Sequence, residues 1–299
     1  MVNEIVEMLP LRPKAVVVDG TLGLAGHSVA MGSKIPGGML VGLDWDEQMI
    51  ERAKQRLAEE LSGVDVHLYH ADYRALPECL TEACEETGRP SEADAVLLDM
   101  GVNNAHFEDP SRGFSFKEEA PLDMRMDKSS GETAAALLNR STATEIENIL
   151  WNFGDERWAK KISQVIVERR KTAPLKTTAD LVDCVNAAIP AAKRDKRIHP
   201  ATRAFMGLRI AVNHELDGLE DAVTDAAKTL APGGVMAVLT YHSGEDRAVK
   251  TAFRELAKSG DFEDLTRKPL VPSDLEQKNN PKSRSAKLRG LRRIKEDQS

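Results

Sequence analysis

The sequence predicts an α/β protein: a parallel sheet that carries its site at the strand C-termini and is interrupted by an inserted all-helical domain. Two observations predict it. Apolar, β-branched runs at 15–18, 39–43, 65–69 and 94–98 alternate with segments of helical periodicity, and three of them run directly into Asp19, Asp44 and Asp99. The alternation then stops, and no convincing strand pattern returns until 235–241.

Taken in order, residues 3–9 read as a short helix packed on the first strand. After the second strand, 46–61 places Met49, Ile50, Ala53, Leu57 and Leu61 at helical spacing. Residues 76–86 read as a helix, broken by Gly88-Arg89-Pro90-Ser91. Within the insertion, Thr142 and Glu145 have the spacing of a capping box that opens a helix ended by Gly154. Trp158, Ile162, Val165 and Ile166 form the apolar stripe of the next helix. Thr177 and Asp180 start another, closed by Pro190, and Pro200 suits the first turn of a fourth. Beyond the insertion, 213–230 is amphipathic through Leu216, Leu219, Val223 and Leu230, and Pro232-Gly233-Gly234 turns into the strand 235–241. Residues 245–258 are helical with Val249, Ala252, Phe253 and Leu256 inward, and 262–267 with 286–293 suit a closing antiparallel pair. The reading divides the chain into a core of 1–108 and 206–299 and an insertion of 109–205.

Composition narrows the class. An apolar fraction of 41% supports a sizeable core, and 30% charged residues argue for a soluble chain. No run reaches the ~20 apolar residues of a membrane span, so no membrane partner is expected. The first residues, MVNEIVEML, lack the basic region of a signal peptide. Cys79, Cys84 and Cys184 fit neither a disulfide framework nor a zinc pattern; reduced cytoplasmic thiols and no metal are the preferred reading. The net charge of -7 is unevenly spread: 157–209 holds 13 basic residues against 4 acidic ones, and 278–295 holds 8 basic and no acidic residues. An acidic body with basic stretches can bind a polyanion locally, although solvated faces are the commoner meaning of such runs.

Residues 15–44 carry the first chemical signal. The order strand, glycine turn, helix, strand, acid is that of a nucleotide-binding βαβ unit. The glycines Gly20, Gly23 and Gly26 fall as G-x-x-G-x-x-G directly after Asp19, and not as the G-x-G-x-x-G that seats a pyrophosphate. An acid at a strand tip repels phosphate and suits a cation. Asp19 could pair with the α-amino group of a methionine-derived sulfonium cofactor, and Asp44 could accept from its ribose hydroxyls. The pattern favours S-adenosylmethionine over NAD.

Read together, several stretches resemble one family closely. They are DGTLGLAGHS at 19–28, DMGV at 99–102, RGFSF and APLDMRMD between 112 and 127, and FGDERWAKKI from 153. HPATRAFMGLRIAVNHEL at 199–216, APGG at 231–234, HSGEDRAVK at 242–250 and NPKSRSAKLR at 280–289 complete the set. The chain is thereby identified as similar to the ribosomal RNA small-subunit methyltransferase H family, also called MraW. The resemblance implies a class I, Rossmann-like S-adenosylmethionine methyltransferase sheet with an inserted helical domain. It implies methylation of the N4 amine of a cytidine in the decoding region of 16S rRNA, acting on the small ribosomal subunit; it leaves a homo-oligomer open. Carried over by position, the cofactor contacts are Ala25, Gly26 and His27 in the turn that begins at Gly20, with Asp44, Tyr73, Asp99 and His106. The chain departs from the family pattern in having no His-x-Pro-Val stretch ahead of its first helix and Ala25 where glycine is usual. Met100, Asn103 and Asn104 stand for Leu-Ser-Ser, Tyr241 for Phe and Gly244 for Leu.

The cytosine amine is a poor nucleophile whose N–H groups need acceptors while it is held in line with the methyl. Asp99, Asn103 and Asn104 are the candidates at the end of the fourth strand; capping of the next helix is the plainer role for Asp99. His242 is placed to meet a ligand, a structural histidine being nearly as good a reading. Tyr241, with Phe107 or Phe114, is a candidate to stack on an extruded base, although core packing is the commoner role of a single aromatic; His27 is the candidate to face the methionine carboxylate. For RNA, the basic clusters Arg169-Arg170-Lys171 and Lys193-Arg194, Lys196-Arg197 lie at expected helix ends. The competing readings are an amino-methyltransferase for DNA or a small molecule, and a non-catalytic ribosome-assembly factor on the same fold. The first would usually show Pro-Pro-aromatic where this chain has Asp99-Met-Gly-Val.

Overall fold

A computed structural model describes residues 1–102 and 104–294 and divides the chain into two compact units, 1–101 with 218–294 and 102–217. The first unit is a seven-stranded sheet in the order β3-β2-β1-β4-β5-β7-β6. Its elements begin with α1 (Val2–Met8), β1 (Val16–Asp19), α2 (Gly26–Gly32), β2 (Met39–Asp44), α3 (Glu47–Glu60), β3 (Asp65–His70), α4 (Leu76–Thr87) and β4 (Ala93–Asp99). After the second unit come α11 (Leu219–Lys228), β5 (Leu230–Thr240), α12 (Ser243–Ser259), β6 (Phe262–Asp264), α13 (Asp274–Asn279) and β7 (Lys287–Arg293). The first five strands run parallel, and β7 pairs antiparallel with both β5 and β6.

The central strands are apolar along their whole length because helices cover both faces of the sheet. Alternate residues explain one layer: Val17, Leu40, Ala95, Leu97, Val235, Ala237 and Leu239 pack with Ile5 of α1, Met31 of α2 and Ile50, Ala53 and Leu57 of α3. On the edge strand β3 no residue is fully buried. The turn between α2 and β2 is made of backbone in close contact. A Cβ on Gly38 would lie 2.4 Å from the Ala15 carbonyl oxygen and 2.7 Å from that of Ile35.

The second unit contains α5 (Asn104–Glu108), α6 (Ala134–Arg140), α7 (Ala143–Asn152), α8 (Ala159–Arg170), α9 (Thr178–Ala188) and α10 (Thr202–Val212). Both expected capping boxes are present, Thr142 with Glu145 on α7 and Thr177 with Asp180 on α9. Leu138, Ile146, Leu150, Ile162, Ile166, Leu181, Val185, Phe205 and Leu208 form its core.

Four boundaries differ from the sequence reading. The units divide at 101/102 and 217/218, where the sequence suggested 108/109 and 205/206, because Phe205, Leu208 and Val212 on α10 complete the core of the helical unit. Pro200 precedes α10, which starts at Thr202, and does not occupy its first turn. The segment 213–230 is not one helix: His214 and Gly218 take left-handed φ of 50° and 63°, so α11 begins only at Leu219. The strand expected from 235 already starts at Leu230, which pairs with Ala93, and 232–234 form an irregularity within β5.

Gly38→Ala is expected to destabilise the first unit by about 1–3 kcal/mol, since the obstacles are backbone oxygens that cannot rotate away. Gly37, at φ 71° where an added Cβ would meet only the Lys14 Cγ at an ordinary 3.7 Å, should cost only about 1 kcal/mol on conversion to Ala. Urea unfolding of the two variants would check the order.

Candidate active site

Parallel pairing sets the tips of β1, β2 and β4 along one edge of the sheet, with Asp19 opposite Gly42 and Leu97, Asp44 opposite His70, and Asp99 opposite Leu239. The chain leaves β1 through a turn held by Gly20 N–H to the Leu97 carbonyl (2.9 Å) and Leu22 N–H to the Leu43 carbonyl (2.8 Å). Gly20 has no room for a side chain, since a Cβ would come 2.5 Å from Leu98 Cδ2 and 3.3 Å from Tyr73 Cβ. Gly23 and Ala25 are both left-handed, at φ 52° and 58°. Ala25 is fully buried and precedes α2 as its N-cap. Its methyl is accommodated at a conformational cost of about 1–2 kcal/mol relative to glycine. Gly26 then opens α2.

The three strand-tip acids have different surroundings. Asp19 is 1% exposed; its Oδ2 accepts from the Ser28 hydroxyl at 2.6 Å and its Oδ1 from Thr21 N–H at 3.2 Å. Burial pushes its carboxyl above the ordinary range, ahead of the opposing Ser28 hydrogen bond and the His27 charge. Asp44 is oriented by two backbone donors, Gly23 N–H at 2.7 Å and Asp46 N–H at 2.8 Å. Asp99 is the hub. Its backbone N–H donates to Thr21 Oγ1 at 2.6 Å, Tyr241 Oη donates to Oδ1 at 2.9 Å, and His27 Nε2 lies 3.4 Å from Oδ2.

The histidine on that hub is electrostatically tuned. Burial lowers the His27 pKa, but the hydrogen bond and charge of Asp99, with the charge of Asp19, outweigh it and leave the net shift upward. Its Nδ1 is buried without a hydrogen-bond partner among the described residues, so an imidazolium here carries a proton available to a ligand. Burial, followed by the Asp99 charge, likewise raises the Tyr241 pKa and keeps the phenol a donor.

Tyr241, a candidate for base stacking or for core packing, gives its hydroxyl to Asp99, and its ring lies near Gly101, whose added Cβ would come 3.2 Å from Tyr241 Cδ2. His242 has a structural role through one ring nitrogen, while its buried Nε2 has no hydrogen-bond partner among the described residues and lies 3.2 Å from Glu245 Oε1. It caps α12, with Nδ1 accepting from Gly244 N–H (3.2 Å) and Glu245 N–H (3.4 Å), while Glu245 Oε2 accepts from Tyr241 N–H at 2.8 Å. Tyr73 starts the turn into α4 and carries the Arg74 guanidinium 4.9 Å from its ring centroid. His106 belongs to the helical unit, where it is buried and stacked on Phe114 with centroids 5.3 Å apart. Asn103 lies outside the described residues; Asn104 opens α5, and its side chain is outside them too. Sequence reasoning missed Thr21, Ser28 and Glu245. Their signal was a small polar or acidic residue within a turn or cap, which is too common to single out.

The basic clusters separate into occupied and unoccupied cations. Arg169 is held by Asp180 and lies 3.8 Å from Asp183, Arg170 donates to the Leu138 carbonyl, and Lys171 pairs with Glu168 at 2.6 Å. Arg194 donates to the Asn186 and Ile189 carbonyls at 2.8 and 3.2 Å, and Arg197 lies 3.6 Å from Asp195. Lys193 and Lys196 are exposed. Arg169, Arg170 and Arg194 therefore brace the helical unit.

The sheet order, the antiparallel β7 and the strand-tip acids beside a tight glycine turn define a Rossmann-like methyltransferase fold of class I. The family comparison makes this particular: the chain belongs to the MraW methylase family, whose model matches residues 1–294. It is 42% identical to the ribosomal RNA small subunit methyltransferase H of Heliobacterium modesticaldum, over 99% of this chain and 97% of that protein. It is 43% identical to the protein of the same name from Heliobacterium mobile, over 98% of this chain and 97% of the relative. The Leptospira biflexa protein of that name is also 43% identical, with 93% and 88% covered.

Two outcomes are expected. Tyr241→Phe removes a hydrogen bond to a charged acceptor and should cost about 1–3 kcal/mol in urea unfolding, while the ring still fills its place. With its folded pKa raised, protonated His27 contributes stability that is full below about 6.5 and fades as pH rises through the elevated folded value. The stability gap between wild type and His27→Gln should therefore shrink on going from acidic to alkaline pH; a constant gap would contradict the Asp99 pairing.

Proposed function

We propose that this chain is an S-adenosylmethionine-dependent methyltransferase that modifies the exocyclic N4 amine of a cytidine in the decoding region of 16S rRNA. It would act on the small ribosomal subunit in the cytoplasm. The observation that carries the reading is the Asp99 carboxylate, oriented from two sides by Tyr241 and His27 at a strand tip. Relatives sharing about two-fifths of the sequence bear the small-subunit rRNA methyltransferase name. Among the described residues no helix is long and apolar enough to cross a membrane.

The residues present fit the cofactor. Asp44, pre-oriented by Gly23 and Asp46, is the acceptor for ribose hydroxyls. Gly20, Ala25 and Gly26 form a turn close enough for backbone approach, and the buried Nδ1 of His27 is a donor suited to the methionine carboxylate. Asp19 is turned into the protein by Ser28, so its part is to shape the turn and to add negative potential toward an ammonium group. S-adenosylmethionine supplies an electrophilic methyl on a sulfonium. The chain's task is to hold the amine in line and accept from its N–H groups as the nitrogen leaves conjugation. Asp99 serves as that acceptor, with Asn103 and Asn104, which follow it in the chain, as the residues assigned to border the base. Preorganisation matters here, because a carboxylate already fixed by Tyr241 and His27 needs no reorientation during the reaction.

Calorimetric titration with S-adenosylmethionine and nucleoside mass spectrometry of 16S rRNA, with and without the protein, test the reading. N4-methylcytidine should appear only with the protein. Asp99→Ala should lower methyl transfer by about 100-fold or more while its circular dichroism remains native. Undiminished transfer by that variant, or methylation of another atom, would refute the assignment.

A further inference from the structure

The cations on the helical unit differ in what they already do. Those that bracket α8 and α9 at 169–171 are spent on carboxylates and carbonyls. Arg157, Lys160 and Lys161 are not: all three are exposed, and no hydrogen bond or ion pair engages their side chains among the described residues. Arg157 lies in the turn entering α8, and the two lysines occupy the first turn of that helix, which holds no acidic residue.

A large aromatic sits at the same corner. Trp151, at the end of α7, is 58% exposed, whereas Trp45 and Trp158 are half-buried. The chain folds back after α7 so that Glu156 N–H donates to the Leu150 carbonyl at 3.1 Å. Trp151 and Arg157 each follow a member of that bonded pair, so both lie at the turn that joins α7 to α8. The corner is rigid: buried Glu156 accepts from Trp158 N–H at 2.8 Å, and Gly154 has no room for a Cβ, which would lie 2.5 Å from the Arg203 carbonyl oxygen. Asp155 is the one exposed carboxylate in the span 152–164.

An exposed indole costs solvation and a cluster of unpaired cations repels itself, so the corner gains from a partner that offers flat π-faces and spaced negative charge together. Single-stranded RNA offers both. We propose that Trp151, Arg157, Lys160 and Lys161 form a docking surface for a single-stranded stretch of the RNA substrate, with Trp151 stacking on a base and the three cations tracking the phosphates. This rests on the rRNA reading above and extends it to residues remote in sequence from the strand-tip site. It also moves the RNA-binding role away from Arg169, Arg170 and Arg194, whose guanidinium groups brace the unit.

The test is fluorescence-anisotropy titration of a short labelled single-stranded RNA against the full chain at several salt concentrations between about 50 and 200 mM. The triple variant Arg157→Ala, Lys160→Ala, Lys161→Ala should flatten the dependence of log affinity on log salt by about 2, at roughly 0.7 for each phosphate no longer neutralised. Trp151→Ala should weaken binding about tenfold, and Trp151→Phe should recover most of it. S-adenosylmethionine affinity should be unchanged in all of them, which separates a docking role from a folding defect. Unaltered RNA affinity and salt slope in both Ala variants, with wild type binding and methylating normally, overturns the surface alone. So does a loss confined to intact small subunits with naked RNA binding preserved, which would assign the corner to a protein partner. Failure of the wild-type chain to bind RNA or transfer a methyl group overturns the functional reading itself.

Discussion

The structure turns on the anchoring of Asp99. Its backbone N–H reaches Thr21 in the turn after β1, one carboxylate oxygen receives Tyr241 from the end of β5, and the other faces His27 on α2. One residue thus ties together three strand ends and the turn between them. A carboxylate so held is oriented by fixed donors on both of its oxygens while it stays partly open to solvent. The close packing of Gly20 against Leu98 and Tyr73 follows from the same need to bring the β1 turn against β4.

A second pattern concerns how the chain spends its polar groups. Asp19 is bound by Ser28, Asp44 by two amides, and Glu245 by the cap of α12. In the helical unit, Arg169, Arg170 and Arg194 similarly satisfy acids or helix-end carbonyls. Against this economy, the buried Nδ1 of His27 and the exposed cations at 157–161 are conspicuous for having no protein partner among the described residues. Groups kept uncompensated are where a ligand is accommodated at least cost to the fold.

Much of the architecture was legible in advance for a local reason. Parallel strands buried on both faces read as continuous apolar runs, and capping boxes such as Thr142–Glu145 and Thr177–Asp180 are written within four residues. Features that failed to show depend on backbone left-handedness or on distant partners. His214 adopts a conformation rare for its type, and Leu230 becomes strand because Ala93 is there to pair with it. The extent of the helical unit was misjudged because α10 looks equally amphipathic whichever core receives it; only its packing through Phe205 and Leu208 decides.

By itself the sequence determined the order of strands and helices, the acids at the strand tips, the glycine turn between β1 and α2, and the family. Each is encoded in spacing along the chain, which folding does not alter. The tertiary structure alone decided what those groups do. It joined the Tyr241 hydroxyl to Asp99, made the Nδ1 of His242 a helix cap, and divided the cations into those that hold the helical unit and those left exposed. The reason is physical: a residue's role depends on which donors and acceptors meet it, and those partners can lie far along the chain, 142 positions apart for Tyr241 and Asp99.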